Sequence, residues 1–332
     1  MEFQKKNIFI FGSSRMGGVR VITSSLRDSL KYLGHSVEYI YGLKAIKFII
    51  RRILDSKFNK LKKKEYFITW GIYNFLPLPR DFTINFFHGF PSKTQQDFLR
   101  YFLFKLVIFI VRIKKTRSLS VSKYTNSILF NIYKLKTQTL RNSIPYSFLK
   151  KTLKTNLTKD IDIIFIGRAT EFKLPSYLIS ALEILASEGL NIYIIGEGPS
   201  KKNYLLNNTN TKINFKNFIS HNKCYEMLER SKYFISCSES EPFGIVFLEA
   251  LFLGCRVIAP RSGGALEIAS LISNTYPGLF NFYDDRDSLI SILNNLEKVD
   301  SLDSKTLNKI HLIIKKYFDP IKHAKYVLDQ FN

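Results

Sequence analysis

Short apolar runs alternate with amphipathic segments along the first half of the chain. Residues 7–11 form one such run, and a loop at residues 12–18 leads into apolar positions at helical spacing up to Gly34. We predict further strands at residues 36–41, 66–70, 82–87 and 118–121, with a helix from about residue 93 to residue 114. This β-α-β alternation predicts a parallel sheet that is covered by helices.

The same alternation restarts after a polar stretch at residues 150–156. The pattern predicts strands at residues 161–166, 191–195, 213–218, 232–236 and 256–259, and helices at residues 177–185, 225–228 and 244–253. We therefore predict an α/β protein with two doubly wound, Rossmann-like domains, residues 1–150 and residues 151–319. A last helical segment, residues 320–332, could pack back on the first domain. Two such domains that face each other would place the carboxyl ends of their strands, where ligands bind, beside one cleft.

The charge distribution restricts the kind of partner. Residues 1–160 carry 31 lysines and arginines but 8 aspartates and glutamates, whereas residues 161–332 carry 19 of each. Such a one-sided charge implies an anionic partner, which could be a membrane surface, a nucleic acid or an acidic glycan. Solvated lysines without any partner are the alternative explanation.

Cysteine usage and hydropathy bear on the compartment. The chain of 332 residues has 3 cysteines without disulfide or metal spacing, which is typical of a reducing cytoplasm. The first apolar run is too short for a signal peptide, and three basic residues interrupt the most hydrophobic stretch, residues 98–113. We therefore expect a cytoplasmic protein, and we expect the apolar part of residues 98–113 to pack on the sheet.

Residues 44–53 are basic and amphipathic, because lysines and arginines alternate there with isoleucines and Phe48. Stretches of this kind bind anionic membrane surfaces. The pattern predicts a first domain that associates peripherally with the inner face of the cytoplasmic membrane.

Two carboxylates eight positions apart carry the clearest chemical signal. Glu241 stands in a loop after a predicted strand, and Glu249 is the polar exception in the apolar helix predicted at residues 244–253. Burying a lone carboxylate is costly unless a partner or a ligand satisfies it. The loop at Glu241 also opens a helix, whose first amides and positive dipole end favour an anion. Together these features predict a site for a sugar nucleotide.

An ordered set of short motifs resembles the retaining glycosyltransferases of the GT-B fold, of the family 4 or group 1 type, which assemble bacterial surface glycans. The set runs along nearly the whole chain, and its most specific part is Glu241 and Glu249 within their Pro-Phe-Gly and Leu-Glu-Ala context. Its other members are Gly17-Gly18, residues 34–37, residues 121–124, residues 141–145, Gly167-Arg168 with Lys173, residues 196–199 and residues 263–267.

Three features depart from the family's pattern. Leu174 stands where glycine is usual, and Cys237 stands where proline is common. Neither threatens the donor site. The basic segment at residues 44–64 matches no motif and leaves the acceptor side open.

The resemblance implies roles for individual residues. Arg168 and Lys173 would hold the donor diphosphate, Glu249 would hold the ribose hydroxyls, and Glu241 would contact the donor sugar. His88 would touch the donor sugar as well. The other residues that it implies in donor binding are Gly17, Gly18, Gly167, Gly198, Phe243, Gly244, Ile245 and Glu267.

Each of these roles has a plain structural alternative. The doublet Gly17-Gly18 could form only a tight turn, His88 could be structural, and Glu267 could cap a helix. The basic pair after the strand at residues 161–166 could be solvated, and the two glutamates could merely bind backbone amides.

The resemblance implies a retaining transferase that moves a hexose or N-acetylhexosamine from an NDP-sugar to a hydroxyl of a lipid-linked glycan. Surface polysaccharide and lipopolysaccharide biosynthesis are the pathways that it implies. The second domain would bind the nucleotide sugar and the basic first domain the acceptor. Because Arg168 and Lys173 can stabilise the leaving diphosphate, and because the sequence has no metal-ligand cluster, we predict no cofactor and no essential metal.

Two other functions stay open. A GT-B enzyme that glycosylates nucleic acid would also suit the basic domain, although no nucleic-acid recognition motif supports it. A catalytically silent scaffold that binds sugar nucleotides is the second, and the presence of Arg168, Lys173 and both glutamates together speaks against it.

Overall fold

The computed structural model describes residues 5–13, 17–54, 65–91, 98–150, 158–272, 276, 278–296 and 302–331. The chain forms two compact units, one made of Met1–Lys151 and Phe318–Asn332 and the other of Thr152–Tyr317. The boundaries predicted from the sequence, at residues 150 and 319, lie one or two residues from these.

The first unit is built on a parallel sheet whose strands are β1 (Asn7–Phe11), β2 (Ser36–Ile40), β3 (Glu65–Trp70), β4 (Thr83–Phe87), β5 (Arg117–Ser120) and β6 (Gln138–Thr139). They lie in the order β2-β1-β3-β4-β5-β6. The helices between them are α1 (Gly18–Tyr32), α2 (Leu43–Leu54), α3 (Phe98–Lys114) and α4 (Lys123–Tyr133). A short 3-10 helix, Gly71–Phe75, follows β3.

The second unit contains another parallel sheet, with strands β7 (Ile161–Ile166), β8 (Ile192–Ile195), β9 (Asn214–Lys216), β10 (Ser231–Ile235), β11 (Arg256–Pro260) and β12 (Phe280–Tyr283). They lie in the order β12-β11-β10-β7-β8-β9. Its helices are α5 (Ser176–Ser187), α6 (Pro199–Asn207), α7 (His221–Glu229), α8 (Ile245–Phe252), α9 (Gly263–Ile272), α10 (Arg286–Asn294) and α11 (Ser304–Tyr317). The last helix, α12 (Pro320–Asp329), returns to the first unit and packs on α1.

Helices cover both faces of the second sheet, and this explains the continuous apolar runs in its strands. Ile163 and Ile164 of β7 point to opposite faces, and both are buried. The strand order reverses between β7 and β10, which are hydrogen-bonded neighbours. A ligand crevice forms at the carboxyl ends of the strands at such a reversal. The loops that follow Ile166 and Ile235 therefore define the place to search for a site.

Different helices cover the two faces of the first sheet. Phe87 of β4 packs against α3, whereas the ring of its neighbour Phe86 lies 6.2 Å from that of His323 in α12. Consecutive strand residues point to opposite faces. One face therefore lies under α2 and α3, and the other under α1 and α12.

The expectation that the apolar part of residues 98–113 packs on the sheet is only half right. Val107, Ile108 and Val111 of α3 are buried, but Phe102 and Phe109 are more than half exposed. The reason is that α3 is apolar around most of its circumference, and the sheet covers only one side of it. The part of the predicted helix before residue 98 lies outside the described residues, as does the part of the basic segment after residue 54. No helix among the described residues has the length and apolarity to span a bilayer.

Two glycines with positive φ allow the cost of backbone strain to be measured separately from the cost of a steric clash. A Cβ on Gly196 (φ +145°) would lie 1.7 Å from the carbonyl oxygen of Gly167, whereas one on Gly189 (φ +99°) would meet nothing within 4 Å. We expect Gly189→Ala to lower the free energy of unfolding by about 1 kcal/mol and Gly196→Ala by about 3 kcal/mol or more. Urea denaturation measures both. Equal losses would contradict the close approach of the two loops.

Candidate active site in the second unit

The loops after β7 and β8 are joined by their backbones. The amide of Gly167 donates to the carbonyl of Ile195 at 3.0 Å, and the amide of Ala169 donates to the carbonyl of Glu197 at 2.9 Å. Gly198 (φ +155°) precedes α6, and a Cβ there would lie 2.2 Å from the carbonyl oxygen of Ala169. Only glycine permits this approach, so the motifs at residues 167–168 and 196–199 are two sides of one contact.

A tight turn after β7 presents two cations. The carbonyl of Thr170 accepts from the amides of Lys173 and Leu174, both at 2.8 Å. Leu174, which stands where the family usually has glycine, is buried in the core of the second unit. The side chain of Arg168 is exposed. The buried side chain of Leu174 therefore fixes the turn on the core, and Arg168 and Lys173 lie at the carboxyl edge of the sheet.

Lys173 and Glu241 form an ion pair across the strand-order reversal. The Nζ atom of Lys173 donates to Oε2 of Glu241 at 2.8 Å. The side chains keep 27% and 20% of their surface exposed, so a ligand can reach both. Lys173 follows β7 and Glu241 follows β10, so the pair depends on the pairing of these two strands.

Neighbouring positive groups hold Glu241 in its ionised form. Burial opposes ionisation, but the charge and hydrogen bond of Lys173 outweigh it, together with a hydrogen bond from Ser238 and the charge of Arg168. The pKa of Glu241 consequently lies below its ordinary value. The site therefore offers one carboxylate and two cations at neutral pH.

The start of α8 packs closely against the start of α9. Gly244 (φ +80°) caps α8 in the left-handed region, and Phe243 beside it is buried. The amide of Gly264 donates to the carbonyl of Glu241 at 2.9 Å, and a Cβ on Gly264 would lie 2.1 Å from the carbonyl oxygen of Phe243. In the first turn of α8 the amide of Phe247 donates to the carbonyl of Gly244 at 2.9 Å. The amides of Ile245 and Val246 precede the first hydrogen bonds of the helix and suit an anion.

Glu249 lies inside α8 with its side chain buried, and it has a partner that the sequence did not reveal. The hydroxyl of Tyr225, on α7, donates to Oε1 of Glu249 at 3.2 Å. Burial raises the pKa of Glu249 to about 7, although the hydrogen bond from Tyr225 favours ionisation. In the sequence, Tyr225 is only the first residue of the helix predicted at residues 225–228. The one signal in the sequence for this hydrogen bond was a tyrosine, with its polar hydroxyl, in a predicted helix.

The other predicted residues lie in separate places. Glu267 is half-buried in the second turn of α9, because that helix begins at Gly263, so it does not cap the helix. In the first unit, Gly17 (φ +148°) precedes α1 and Gly18 is its first residue, at the carboxyl end of β1. Roles for these residues in donor binding stay predictions.

His88 follows β4 in the first unit and is half-buried beside two aromatic rings. Its ring stacks on Phe86 at 5.7 Å and meets the edge of Trp70 at 5.8 Å. Burial lowers the pKa of His88 to about 3, and the neighbouring His323 contributes to the shift. The imidazole is therefore neutral at physiological pH and offers a single N–H donor. A contact with the donor sugar stays a prediction.

The buried carboxylate predicts an unusual pH dependence of stability. In the unfolded chain Glu249 ionises near its ordinary pKa of 4.5, whereas the folded protein keeps the proton up to about pH 7. The unfolded state binds fewer protons in that window, so the free energy of unfolding falls as the pH rises through it. We expect Glu249→Gln to gain about 3 kcal/mol relative to the unmodified protein between about pH 5 and pH 8.

Urea denaturation at a series of pH values measures this difference. Glu226→Gln, which alters an exposed carboxylate on the same helix as Tyr225, is the matched control. Parallel pH profiles for the unmodified protein and Glu249→Gln would contradict the assignment of a protonated, buried Glu249.

Comparison with known proteins agrees with this geometry. Residues 150–305 match the model of the family described as Glycosyl transferases group 1. The chain is 29% identical over 178 residues to an uncharacterized glycosyltransferase, MJ1607, of Methanocaldococcus jannaschii. That match covers 48% of this chain and 45% of the relative, so the aligned segment spans less than half of the relative's length.

Solved structures resemble the whole chain. A glycosyltransferase from Rickettsia africae superimposes with a TM-score of 0.68 at 18% identity, over 99% of this chain and 98% of the other. Anabaena Alr3699/HepE, solved in complex with UDP-glucose, gives a TM-score of 0.68 at 15% identity, over 98% and 99% of the two chains. The chain thus has the GT-B fold, and its residues 150–305 are similar to the glycosyl transferases group 1 family.

Proposed function

We propose that this protein is a retaining glycosyltransferase. It would transfer a hexose or N-acetylhexosamine from an NDP-sugar to a hydroxyl of a lipid-linked glycan, in surface polysaccharide or lipopolysaccharide assembly. The observation that carries the proposal is the ion pair of Lys173 and Glu241, with Arg168 beside it, at the strand-order reversal of the second unit.

This arrangement suits a diphosphate leaving group. Breaking the bond between the sugar and the diphosphate leaves negative charge on the phosphate oxygen. Lys173 and Arg168 are two cations at the carboxyl edge of the sheet that can stabilise that charge. Glu241 already pairs with Lys173, so it holds the ammonium group in place. Its two carboxylate oxygens can accept further hydrogen bonds, including one from a sugar hydroxyl.

Glu249 suits the ribose of the nucleotide. A ribose presents two neighbouring hydroxyls, and an ionised carboxylate accepts a hydrogen bond from each with its two oxygens. Because the pKa of Glu249 is raised to about 7, ionisation upon donor binding is accessible near neutral pH. The UDP-glucose complex of Alr3699/HepE belongs to a protein of the same fold and supports an NDP-sugar as the donor class.

The reaction would proceed on one face of the sugar. The acceptor hydroxyl forms the new bond to the anomeric carbon as the bond to the diphosphate breaks. A leaving phosphate oxygen, held by Lys173 and Arg168, takes the proton of that hydroxyl. No protein nucleophile is needed, and the anomeric configuration is retained.

The first unit would receive the acceptor. Its sequence carries nearly all of the excess of positive charge, which suits a glycan acceptor borne on lipid at an anionic membrane surface. We propose a peripheral location at the inner face of the cytoplasmic membrane on this basis.

A donor screen tests the proposal. Purified protein is incubated with UDP-, GDP-, ADP- and dTDP-sugars, and both its melting temperature and the slow hydrolysis of each sugar are recorded. We expect one nucleotide class to stabilise the protein and to be hydrolysed. Stabilisation without hydrolysis or transfer would favour the scaffold function, and stabilisation by none of them would overturn the proposal.

Removing either cation should slow the chemistry. We expect Lys173→Ala and Arg168→Ala each to lower the rate of donor hydrolysis by about a hundredfold to a thousandfold, because each stabilises charge on the leaving group. Lys202→Ala, which removes an exposed lysine of α6, is the matched control and should keep the full rate. Unchanged rates in the first two variants would contradict the assigned roles.

Metal dependence is a further prediction. Among the described residues, no three His, Cys, Asp or Glu side chains come together as a metal site. Independently of that, Lys173 and Arg168 can neutralise the diphosphate themselves. We expect donor hydrolysis to continue at an undiminished rate in excess EDTA, and its loss with recovery on adding Mg²⁺ or Mn²⁺ would contradict the prediction.

A further inference from the structure

We propose that the outer faces of α2 and α3 form one surface that docks the first unit on an anionic lipid bilayer. This surface, the α2–α3 face, consists of Leu43, Ile46, Ile50, Ile72, Leu99, Phe102, Leu106, Phe109 and Ile113 with the basic side chains beside them. The inference rests on the proposed function for its purpose, which is to bring a lipid-linked acceptor to the enzyme. The observations that support the docking surface are the exposure, position and charge of residues on α2 and α3, and these do not depend on the catalytic roles.

A continuous apolar stripe runs along α3. Leu99, Phe109 and Ile113 are 60%, 59% and 64% exposed, and Phe102 and Leu106 lie between them. At 100° per residue these five side chains fall within about 80° of one another around the helix axis. They extend over about 21 Å along it. Such a stripe of exposed large side chains is costly in water unless something covers it.

The outer side of α2 repeats this composition. Leu43, Ile46 and Ile50 are each at least half exposed, and they follow one another at helical spacing. Ala45 and Ile49 on the inner side are buried. The helix therefore has two apolar sides, of which the sheet covers one.

The two helices lie on the same face of the sheet. Phe67 of β3 is paired with Phe9 of β1, and both pack against α2. Phe67 is also paired with Thr83 of β4, and Phe87, four residues further along β4, points to the same face and packs against α3. The 3-10 helix Gly71–Phe75 lies between them, because Tyr73 packs with the α2 cluster and Phe75 with the α3 cluster. Ile72 of this short helix is 64% exposed. The exposed apolar residues thus occur on three neighbouring elements of one layer.

Positive charges flank the apolar residues. Lys44, Lys47 and Arg51 are exposed on α2, and Lys105 and Arg112 are exposed on α3. Neither helix contains an acidic residue. An apolar stripe bordered by cations matches the boundary between acyl chains and anionic headgroups, where a helix lies parallel to the membrane.

The charge also decides against a second copy of the chain as the occupant. A symmetric dimer through this face would bring like-charged borders together. Residues 98–150 contain no acidic side chain that could compensate them. A bilayer with anionic lipids supplies both the apolar interior and the opposite charge.

Vesicle flotation tests the α2–α3 face directly. The full chain is mixed with vesicles of phosphatidylcholine alone, or with phosphatidylglycerol added, and the bound fraction is measured. We expect Phe102→Ser with Phe109→Ser, and separately Ile46→Ser with Ile50→Ser, each to weaken binding by about tenfold or more. Lys105→Ser with Arg112→Ser should remove most of the preference for phosphatidylglycerol.

A matched control uses the second unit, where Leu206 and Phe218 are also more than half exposed. Leu206→Ser with Phe218→Ser should bind vesicles like the unmodified protein. All these positions are at the surface, so melting temperatures should stay close to that of the unmodified protein. Donor hydrolysis in solution should be unchanged in the α2 and α3 variants, which separates a failure of docking from a failure of the proposed chemistry.

Two results would overturn the inference. One is equal vesicle binding by the unmodified protein and both serine pairs on the α2–α3 face. The other is a concentration-dependent dimer in sedimentation that the same pairs abolish, without any vesicle binding, which would make the face an interface between copies.

Discussion

The ion pair between Lys173 and Glu241 joins two loops that are 68 positions apart in the chain. It exists because β7 and β10 are neighbours at the point where the strand order of the second sheet reverses. The pair has two consequences. It keeps a flexible ammonium group at one position, and it keeps the carboxylate of Glu241 ionised despite the burial that opposes ionisation. The proposed catalytic chemistry depends on both, since a diphosphate needs a fixed cation and a sugar hydroxyl needs an acceptor.

Backbone contacts that exclude side chains support this arrangement. A Cβ on Gly198 would lie 2.2 Å from the carbonyl oxygen of Ala169, in the loop of Arg168. A Cβ on Gly264 would lie 2.1 Å from the carbonyl oxygen of Phe243, in the loop of Glu241. The loops that carry the two motifs are therefore positioned by direct contact with their neighbours. A second, separate constraint acts on Glu249, whose carboxyl group is buried in α8 with Tyr225 as its hydrogen-bond partner. The polar groups of the site are thus held by strand order, by glycine contacts and by one tyrosine.

The parts of this structure that the sequence predicts are those with a local signal. Buried parallel strands appear as largely apolar runs, so the bounds of β7 and β10 were predicted to within one residue. Tyr225 could not be found in this way, because its contact with Glu249 links two helices through tertiary packing. The exposure of Phe102 and Phe109 was missed for a related reason. Hydropathy reports that α3 is apolar, but it does not report which of its sides the sheet covers.

We propose that the second unit binds an NDP-sugar through Lys173, Arg168 and Glu249. A crystal structure of the protein with the nucleoside diphosphate of its preferred donor is the decisive experiment. We expect the diphosphate within hydrogen-bond distance of Lys173 and Arg168, and the ribose hydroxyls on the carboxylate of Glu249. A nucleotide bound elsewhere, with the Lys173–Glu241 pair and the Tyr225–Glu249 hydrogen bond untouched, would contradict it.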